Sequence, residues 1–493
     1  MGFFYIYGVA DVNHRCRLPE SIWPNDNSYN SINSTHEKLL EQFIPKTKDG
    51  KSWEQCIMHS KSVFSNSTID CPNGWVYDRS VFGYTYTEEA NFVCNRAPEK
   101  SWLATMMQCG GFALLIIGSL ADRFGRKRTT VAVTMFLFIV CLITQFLMEF
   151  LPMDTEVKFG LLLLNQFASG LTAATFSLIF ILLLELTSSE HTSLAGNLAL
   201  VSFTIGEMIV TLFAYLARDW QILKWADTAF VGLILPYLYF MPESPLYLYS
   251  RRQYDQLEAL LRRIAKRNRR KESEWYLAYQ AFMRTQPIAS LHDEKTPCCT
   301  KIQQFFTNKS TLSKLFIIAL IGFTTMLLYI KISYGLAAMD ISPYLGILIG
   351  ALVEAAGYVI GSILISTKFG RKGSFIFMMI LTIICVVLIP NIITISALAT
   401  VFIAQFGKFS ISGAIAVSWI FVPELFPTST RSGANGFFIA FGRIGAIVAP
   451  IINTAIPAEY QSYVSYAAAG LGVLSVILTL ILPETKDKSM DDV

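Results

Sequence analysis

Long apolar stretches alternate with short polar ones along most of this chain, and their length fixes the solvent they are built for. A helix needs roughly 20 mostly apolar residues to cross the hydrocarbon core of a bilayer. Eleven stretches meet that requirement: about Trp102 to Leu120, Thr129 to Met148, Phe159 to Leu184, Leu194 to Ala217, Trp220 to Phe240, Leu315 to Leu336, Tyr344 to Ile365, Phe375 to Pro390, Ile393 to Phe421, Phe437 to Ile452 and Ser462 to Leu482. They predict an all-α integral membrane protein of eleven spans. Residues 101–241 and 314–482 form two transmembrane halves, and residues 483–493 form a tail. Residues 11–100, which precede the first span, are polar. Residues 242–313 join the halves through a basic, helix-patterned segment with leucines at 257, 260 and 261.

Composition agrees with the pattern: 53% of the 493 residues are hydrophobic, 15% are charged, and the mean hydropathy is +0.45. Orientation follows from the loops, because cytoplasmic connections carry the excess of lysine and arginine. Arg123, Arg126, Lys127 and Arg128 follow the first span, nine basic residues between Arg251 and Lys271 follow the fifth, and Lys368, Arg371 and Lys372 follow the seventh. These basic runs mark topology rather than a nucleic-acid surface. They place the carboxy terminus in the cytoplasm and residues 11–100 outside.

The outer segment carries chemistry suited to an oxidising compartment. Cys16, Cys56, Cys71 and Cys94 allow two disulfides in any of three connectivities. Asn33-Ser34-Thr35 and Asn66-Ser67-Thr68 are glycosylation acceptors. In the cytoplasmic connection, the adjacent Cys298 and Cys299 leave reversible lipidation open.

An internal duplication sets the architecture. Gly125-Arg126-Lys127 recurs as Gly370-Arg371-Lys372 after 245 residues, Glu185-Leu186 as Glu424-Leu425 after 239, and Pro242-Glu243-Ser244 as Pro483-Glu484-Thr485 after 241. Three landmarks in the same order at nearly one offset make two homologous halves. Parallel repeats with a substrate site near the midplane between them are a transporter architecture.

At these residues the chain resembles the major facilitator superfamily, and within it the organic cation/anion/zwitterion transporter family of solute carriers. The matches run over nearly the whole chain. They include His14-Arg15-Cys16-Arg17-Leu18-Pro19, Asn91-Phe92-Val93-Cys94, Ala121 to Arg128, Pro242-Glu243-Ser244-Pro245, Tyr334-Gly335-Leu336, Pro423-Glu424-Leu425-Phe426-Pro427-Thr428 and Gly442 to Pro450. The resemblance implies a multi-pass plasma-membrane protein with two cytoplasmic charge clusters, Asp122, Arg126, Glu185 and Glu243 in one half and Arg371, Glu424, Arg431 and Glu484 in the other. In the superfamily such clusters hold the halves together when the protein faces outward. Two positions depart from the family pattern: His191-Thr192 stands where an arginine is usual, and Thr367 where an aspartate is usual. The family has twelve spans, so Met1 to Ala10, apolar but too short to cross, reads as the remnant of a first span in an incomplete chain. It lacks the basic start and apolar core of a signal peptide.

A charge inside a span is costly and marks a functional site by default. The candidates are Arg443, Lys408, Glu354, Glu207 and Lys331. Arg443 sits about two turns into the Phe437 to Ile452 span. In the resembled family its position tends to be arginine in carriers of anions and carnitine-type zwitterions, and aspartate in several cation carriers. A guanidinium fork suits a carboxylate, so an anion or zwitterion is favoured, with an organic cation as the alternative. A structural pairing of Arg443 with Glu354 or another buried acid competes with that role, as does snorkelling for Lys408. Glu207 and Glu354 could balance a cationic group or carry a coupling proton. Tyr334 and Phe438 are the aromatic liners expected at the site.

The chain lacks the phosphate-binding Gly-x-x-x-x-Gly-Lys-Ser/Thr pattern, and its five histidines share no ligand spacing. Neither ATP, a cofactor, a metal nor an enzyme activity is expected. The reading is a secondary transporter of small organic ions, against the alternative of a transport-inactive membrane protein that binds a partner or lipid.

Overall fold

The computed structural model describes residues 4–47, 52–59, 68–188, 191–285, 309–337, 342–393, 395–426 and 428–485. Asn66, Cys298 and Cys299 lie outside the described residues, as do the side chains of Tyr334 and Arg431.

In chain order, α1 (Phe4–Gly8) covers part of the short apolar start, and the polar segment after it holds β1 (His14–Cys16), α2 (Ser34–Phe43), β2 (Ile57–His59), β3 (Thr68–Asp70), β4 (Trp75–Tyr77) and α3 (Tyr86–Glu89). Strands β1 and β4 pair antiparallel, as do β2 and β3. Disulfides join Cys16 to Cys71 and Cys56 to Cys94, with Cα atoms 5.1 and 5.6 Å apart. So small a unit has little apolar core, and covalent staples supply order that burial cannot. At its centre Arg15 donates a two-pronged fork to Asp26 at 2.7 and 2.6 Å, and Leu18 N–H donates to the same carboxylate. His36 stacks on Trp23, and its Nδ1 accepts from Ile32 N–H at 3.2 Å. Asn33 is exposed and caps α2, its side chain accepting from His36 N–H.

The amino-terminal half follows: α4 (Lys100–Gly111), α5 (Leu114–Phe124), α6 (Arg126–Phe150), α7 (Thr155–Gly170), α8 (Thr172–Leu186), α9 (Thr192–Ala217) and α10 (Trp220–Phe240). Helices α4 and α5 make one bent span, and α7 and α8 another. The connection holds α11 (Pro245–Ser250), α12 (Tyr254–Arg267) and α13 (Glu272–Thr285). Leu257 and Leu260 face inward there against Leu248 and Tyr249. Arg251 and Tyr247 tie the connection to the Arg123 carbonyl beneath the amino-terminal half. The carboxy-terminal half consists of α14 (Lys309–Ala337), α15 (Pro343–Ser366), α16 (Gly370–Ile392), α17 (Ala397–Glu424), α18 (Thr428–Ala455) and α19 (Gln461–Ile481).

Among the described residues ten helices, not the eleven expected, are long and apolar enough to cross a membrane. The difference is α10. It forms where the fifth span was expected, but Gln221, Lys224 and Asp227 in its first two turns lower its hydropathy. Lys224 and Asp227 are buried rather than exposed to lipid, with Lys224 donating to Asn165 Oδ1 at 2.7 Å and its ammonium 4.2 Å from the Phe4 ring centre.

Apolar matching cannot hold helices together in lipid, so close crossings fall to small residues. A Cβ on Gly110 of α4 would lie 2.0 Å from the Phe167 carbonyl of α7, and one on Gly170 2.0 Å from the Met107 carbonyl. In the other half a Cβ on Gly357 of α15 would lie 2.4 Å from the Phe409 carbonyl of α17, and one on Gly413 3.2 Å from the Gly357 carbonyl. Gly110 and Gly357 are 247 residues apart, and Gly170 and Gly413 are 243 apart, so the duplication extends to the crossings themselves.

The outer segment responds to acid in a definite direction. Burial opposes ionisation of Asp26, but Arg15 and the Leu18 N–H outweigh it and hold the carboxyl below the usual range. Burial pushes His36 below the usual imidazole range, with Asp26 opposing. Both groups take up protons less readily folded than unfolded. Their stabilisation is therefore present above the ordinary values, about 6.5 for His and about 3.9 for Asp, and is lost as pH falls through the lowered folded values. Hydrogen exchange across α2 should accelerate, relative to α6 and after correction for intrinsic rate, first below the imidazole range and again below the carboxylate range. His36→Phe should remove the first step alone.

Candidate functional site

Mid-depth charges meet where the halves face each other. Glu207, Glu354 and Lys408 lie about midway along α9, α15 and α17. Lys408 Nζ donates to Glu207 Oε1 at 3.0 Å, which joins the two halves, and lies 3.2 Å from Glu354 Oε2. The lysine side chain is 2% exposed and both carboxylates 0%. Glu354 also accepts from Tyr358 Oη at 2.6 Å and from Tyr329 Oη at 3.1 and 3.2 Å.

The local sequence explains the fit. Gly350, Glu354 and Tyr358 stand four apart on α15 and so share one helical face. A Cβ on Gly350 would lie 3.2 Å from Lys408 Nζ, so the missing side chain makes room for the ammonium. Snorkelling is thereby excluded for Lys408, whose head is turned between two carboxylates rather than toward water.

Arg443 lies on α18, which begins at Thr428 rather than near Phe437, so the arginine sits at mid-helix and deeper than the apolar pattern alone suggested. Its Nη1 donates to Gln108 Oε1 of α4 at 3.1 Å, across the halves. Its Nε is shut off from solvent and meets no acceptor among the described residues. Among the described residues no carboxylate lies within ion-pair distance of it, and the suggested pairing with Glu354 is replaced by the Glu354–Lys408 pair. A Cβ on Gly111 would lie 3.1 Å from Arg443 Nε, so this α4 glycine opens the space the guanidinium fills. A small pocket beside Arg443 is lined by Thr325, Met326, Ser418, Trp419 and Phe438, among others. Lys331 is half-buried on α14.

Tyr329 and Gln108 were missed by the sequence reading. Gln108 had a signal, as the most polar residue of its span; Tyr329 had none beyond being a tyrosine in an apolar run.

The two charge clusters form one device built twice. Gly125 and Gly370 both have positive φ, +104° and +69°, and a Cβ on either would fall within 2.6 Å of a carboxylate oxygen of Glu243 or Glu484 respectively. Those carboxylates cap the next helix: Glu243 accepts from Lys127 N–H at 3.0 Å, and Glu484 from Arg371 and Lys372 N–H at 2.9 and 3.1 Å. A negative charge at a helix amino terminus is stabilising. The arginine that follows pairs with the other glutamate, Arg126 with Glu185 at 3.5 Å and Arg371 with Glu424 at 3.1 Å, and Asp122 pairs with Arg126 at 2.9 Å. Thr485 Oγ1 donates to Glu424 at 2.7 Å. Each of these bonds lies within one half. They do not bridge the halves, because both partners in every pair come from the same repeat.

Residues 64–493 match the sugar (and other) transporter family. The chain belongs to this family. Solute carrier family 22 member 13 of Homo sapiens is 26% identical over 504 residues, covering 99% of this chain and 86% of the relative. Solute carrier family 22 member 4 of Mus musculus is 26% identical over 521 residues, covering 98% and 86%. The organic cation transporter protein of Drosophila melanogaster is 24% identical over 507 residues, covering 99% and 87%. The inward open conformation of the xylose transporter XylE from E. coli superposes with a TM-score of 0.62 at 16% identity, over 82% of this chain and 93% of that one. At that identity the likeness speaks to the fold, which is the major facilitator fold. The expected membership in the major facilitator superfamily, and in its organic cation/anion/zwitterion branch of solute carriers, is borne out. This multi-pass plasma-membrane protein is a secondary transporter of organic solutes and not an enzyme.

Removing one partner from a buried charge cluster strands the others, at a typical cost of about 3–5 kcal/mol. Lys408→Met should therefore lower the thermal midpoint of the purified protein markedly. Lys408→Met combined with Glu207→Gln should recover a large part of the loss, and simple additivity of the two changes would show that the residues do not interact.

Proposed function

We propose that this transporter moves small organic anions or carnitine-like zwitterions by alternating access, with Arg443 holding the substrate carboxylate. The observation that carries the reading is the state of Arg443. Of the five N–H donors of its guanidinium, one goes to Gln108, and Nε meets no acceptor among the described residues. A buried guanidinium donor left unmet beside a pocket is costly and favours a ligand that supplies an anionic, two-oxygen acceptor. Phe438 and Trp419 offer the pocket apolar faces for the organic part of such a ligand. Tyr334 enters as a further lining residue on the family resemblance.

Lys408 serves this role less well, because Glu207 and Glu354 already neutralise it. The two carboxylates carry one more charge than the lysine, and that surplus suits the cationic group of a zwitterion. The duplicated clusters, Asp122, Arg126, Glu185 and Glu243 with Arg371, Glu424 and Glu484, stiffen the inner ends of each half, and Arg431 joins the second on the family resemblance alone. In this reading they let each half rock as a body rather than latching one half to the other.

Uptake of labelled carnitine, a dicarboxylate, an aromatic anion and an organic cation into cells, normalised to surface protein, tests the proposal. Transport of an anion or zwitterion is expected, and Arg443→Ala should reduce it about 30-fold or more, the loss of a buried charge contact worth about 2 kcal/mol or more. Transport of the organic cation alone, or an Arg443→Ala protein that transports normally, would reject the assignment.

A further inference from the structure

The Glu207–Lys408–Glu354 cluster carries a formal charge of −1 where no residue is more than 2% exposed. An uncompensated charge in that setting is expensive, and a proton removes it. The two carboxylates differ in how well they can take one. Glu354 accepts from Lys408, Tyr329 and Tyr358, so both of its oxygens are already engaged. Glu207 accepts through Oε1 from Lys408, and its Oε2 is enclosed with no hydrogen-bond partner among the described residues. A proton added to the cluster is therefore held most cheaply on Glu207 Oε2.

The position of Glu207 gives that proton a mechanical effect. Glu354, Tyr358, Tyr329 and Lys408 all belong to the carboxy-terminal half, whereas Glu207 is the sole member from the other half. Other titratable groups on neighbouring elements are engaged elsewhere: Glu185 on α8 with Arg126, Lys224 on α10 with Asn165, and Tyr7 with Thr211 one turn beyond Glu207. Asp227, Tyr237 and Tyr239 also lie on α10. Arg443 on α18 is aimed at α4.

We propose that Glu207 is a proton site that couples proton movement to the transport cycle. Ionised, it binds Lys408 as an ion pair and latches α9 to α17. Protonated, it leaves Lys408 to Glu354, the cluster becomes neutral, and the halves separate without stranding a buried carboxylate. The proton comes from water on one face and returns to water on the other; Lys408 stays an ammonium throughout. The inference deepens the transporter reading, but the latch can be tested with no substrate present.

Thr211 is 4% exposed, one turn from Glu207, and hydrogen-bonded to Tyr7, which stacks on Tyr344 of the opposite half. A Thr211→Cys thiol should therefore meet an impermeant outside reagent only when the halves part. Ile395→Cys, at a position 79% exposed, provides the reference that cancels the reagent's own pH dependence. The ratio of the two modification rates should rise about threefold or more between about pH 7.5 and about pH 5.5. With Glu207→Gln added it should be high and flat, and with Glu207→Asp it should keep its pH response. A ratio that does not change with pH, or a Glu207→Gln protein that responds like the parent, overturns the proposal. Should Glu207→Gln fail to reach the surface, rate-corrected hydrogen exchange of α9 against α6 in the parent chain decides: protection of α9 that is equal at both pH values overturns the latch. A Glu207-dependent ratio without uptake of any substrate would uphold the latch and reject the substrate assignment; uptake with a pH-independent ratio would do the reverse.

Discussion

One lysine shared between carboxylates of opposite halves sets the terms for the rest of this molecule. In hydrocarbon no water can solvate a stray charge, so an ionised group at mid-depth is costly unless the protein or a ligand supplies its partner. Lys408 meets that constraint through Glu354 in its own half and Glu207 in the other. The first pair stays together whatever the halves do, and the second depends on their relative position. A membrane-buried charge cluster thus becomes sensitive to conformation through the origin of its members and not through any special chemistry.

The surrounding architecture keeps each half rigid enough for that sensitivity to matter. Glycine crossings bring α4 onto α7 and α15 onto α17 at backbone contact. At the ends carrying the Gly-Arg-Lys motifs, Glu243 and Glu484 cap helices at Gly125 and Gly370, whose positive φ and lack of a side chain admit the carboxylate. The Gly-Arg-Lys motif therefore has a division of labour: the glycine makes room for one glutamate, and the arginine engages another. Such exposed or half-exposed pairs are individually weak, but backbone capping adds directional bonds that fix where the helix begins.

Much of this was legible in the chain before any coordinates. Apolar runs near 20 residues have only one stable use, so the spans stood out, and the repeat offset exposed the two halves. The reading failed where partners are remote in sequence. Lys408 and Glu207 are 201 residues apart, and nothing local to either announces the other; a lysine near mid-span is equally compatible with snorkelling until its neighbours are known. Trp220 to Phe240 reads as a span on its apolar second half and does form a helix, but its first turns carry Lys224, which finds Asn165 and the Phe4 ring inside the protein. Gly110 and Gly170 carried a usable signal, since their counterparts recur at the offset of the motifs, but a glycine in a span is too common to single out unaided.

The four mid-depth charges explain why substrate and proton belong to one problem. Arg443 and Lys408 contribute two positive charges, Glu207 and Glu354 two negative ones, so the centre is neutral in sum but divided into an arginine facing α4 and a cluster with a surplus of negative charge. A zwitterion placed between them satisfies both parts and leaves the total unchanged. A simple anion satisfies Arg443 alone and makes the total −1, which the low-dielectric centre resists. One proton on Glu207 restores neutrality at the same moment that it releases the halves, so in such a centre the charge of the cargo decides whether a proton must travel with it.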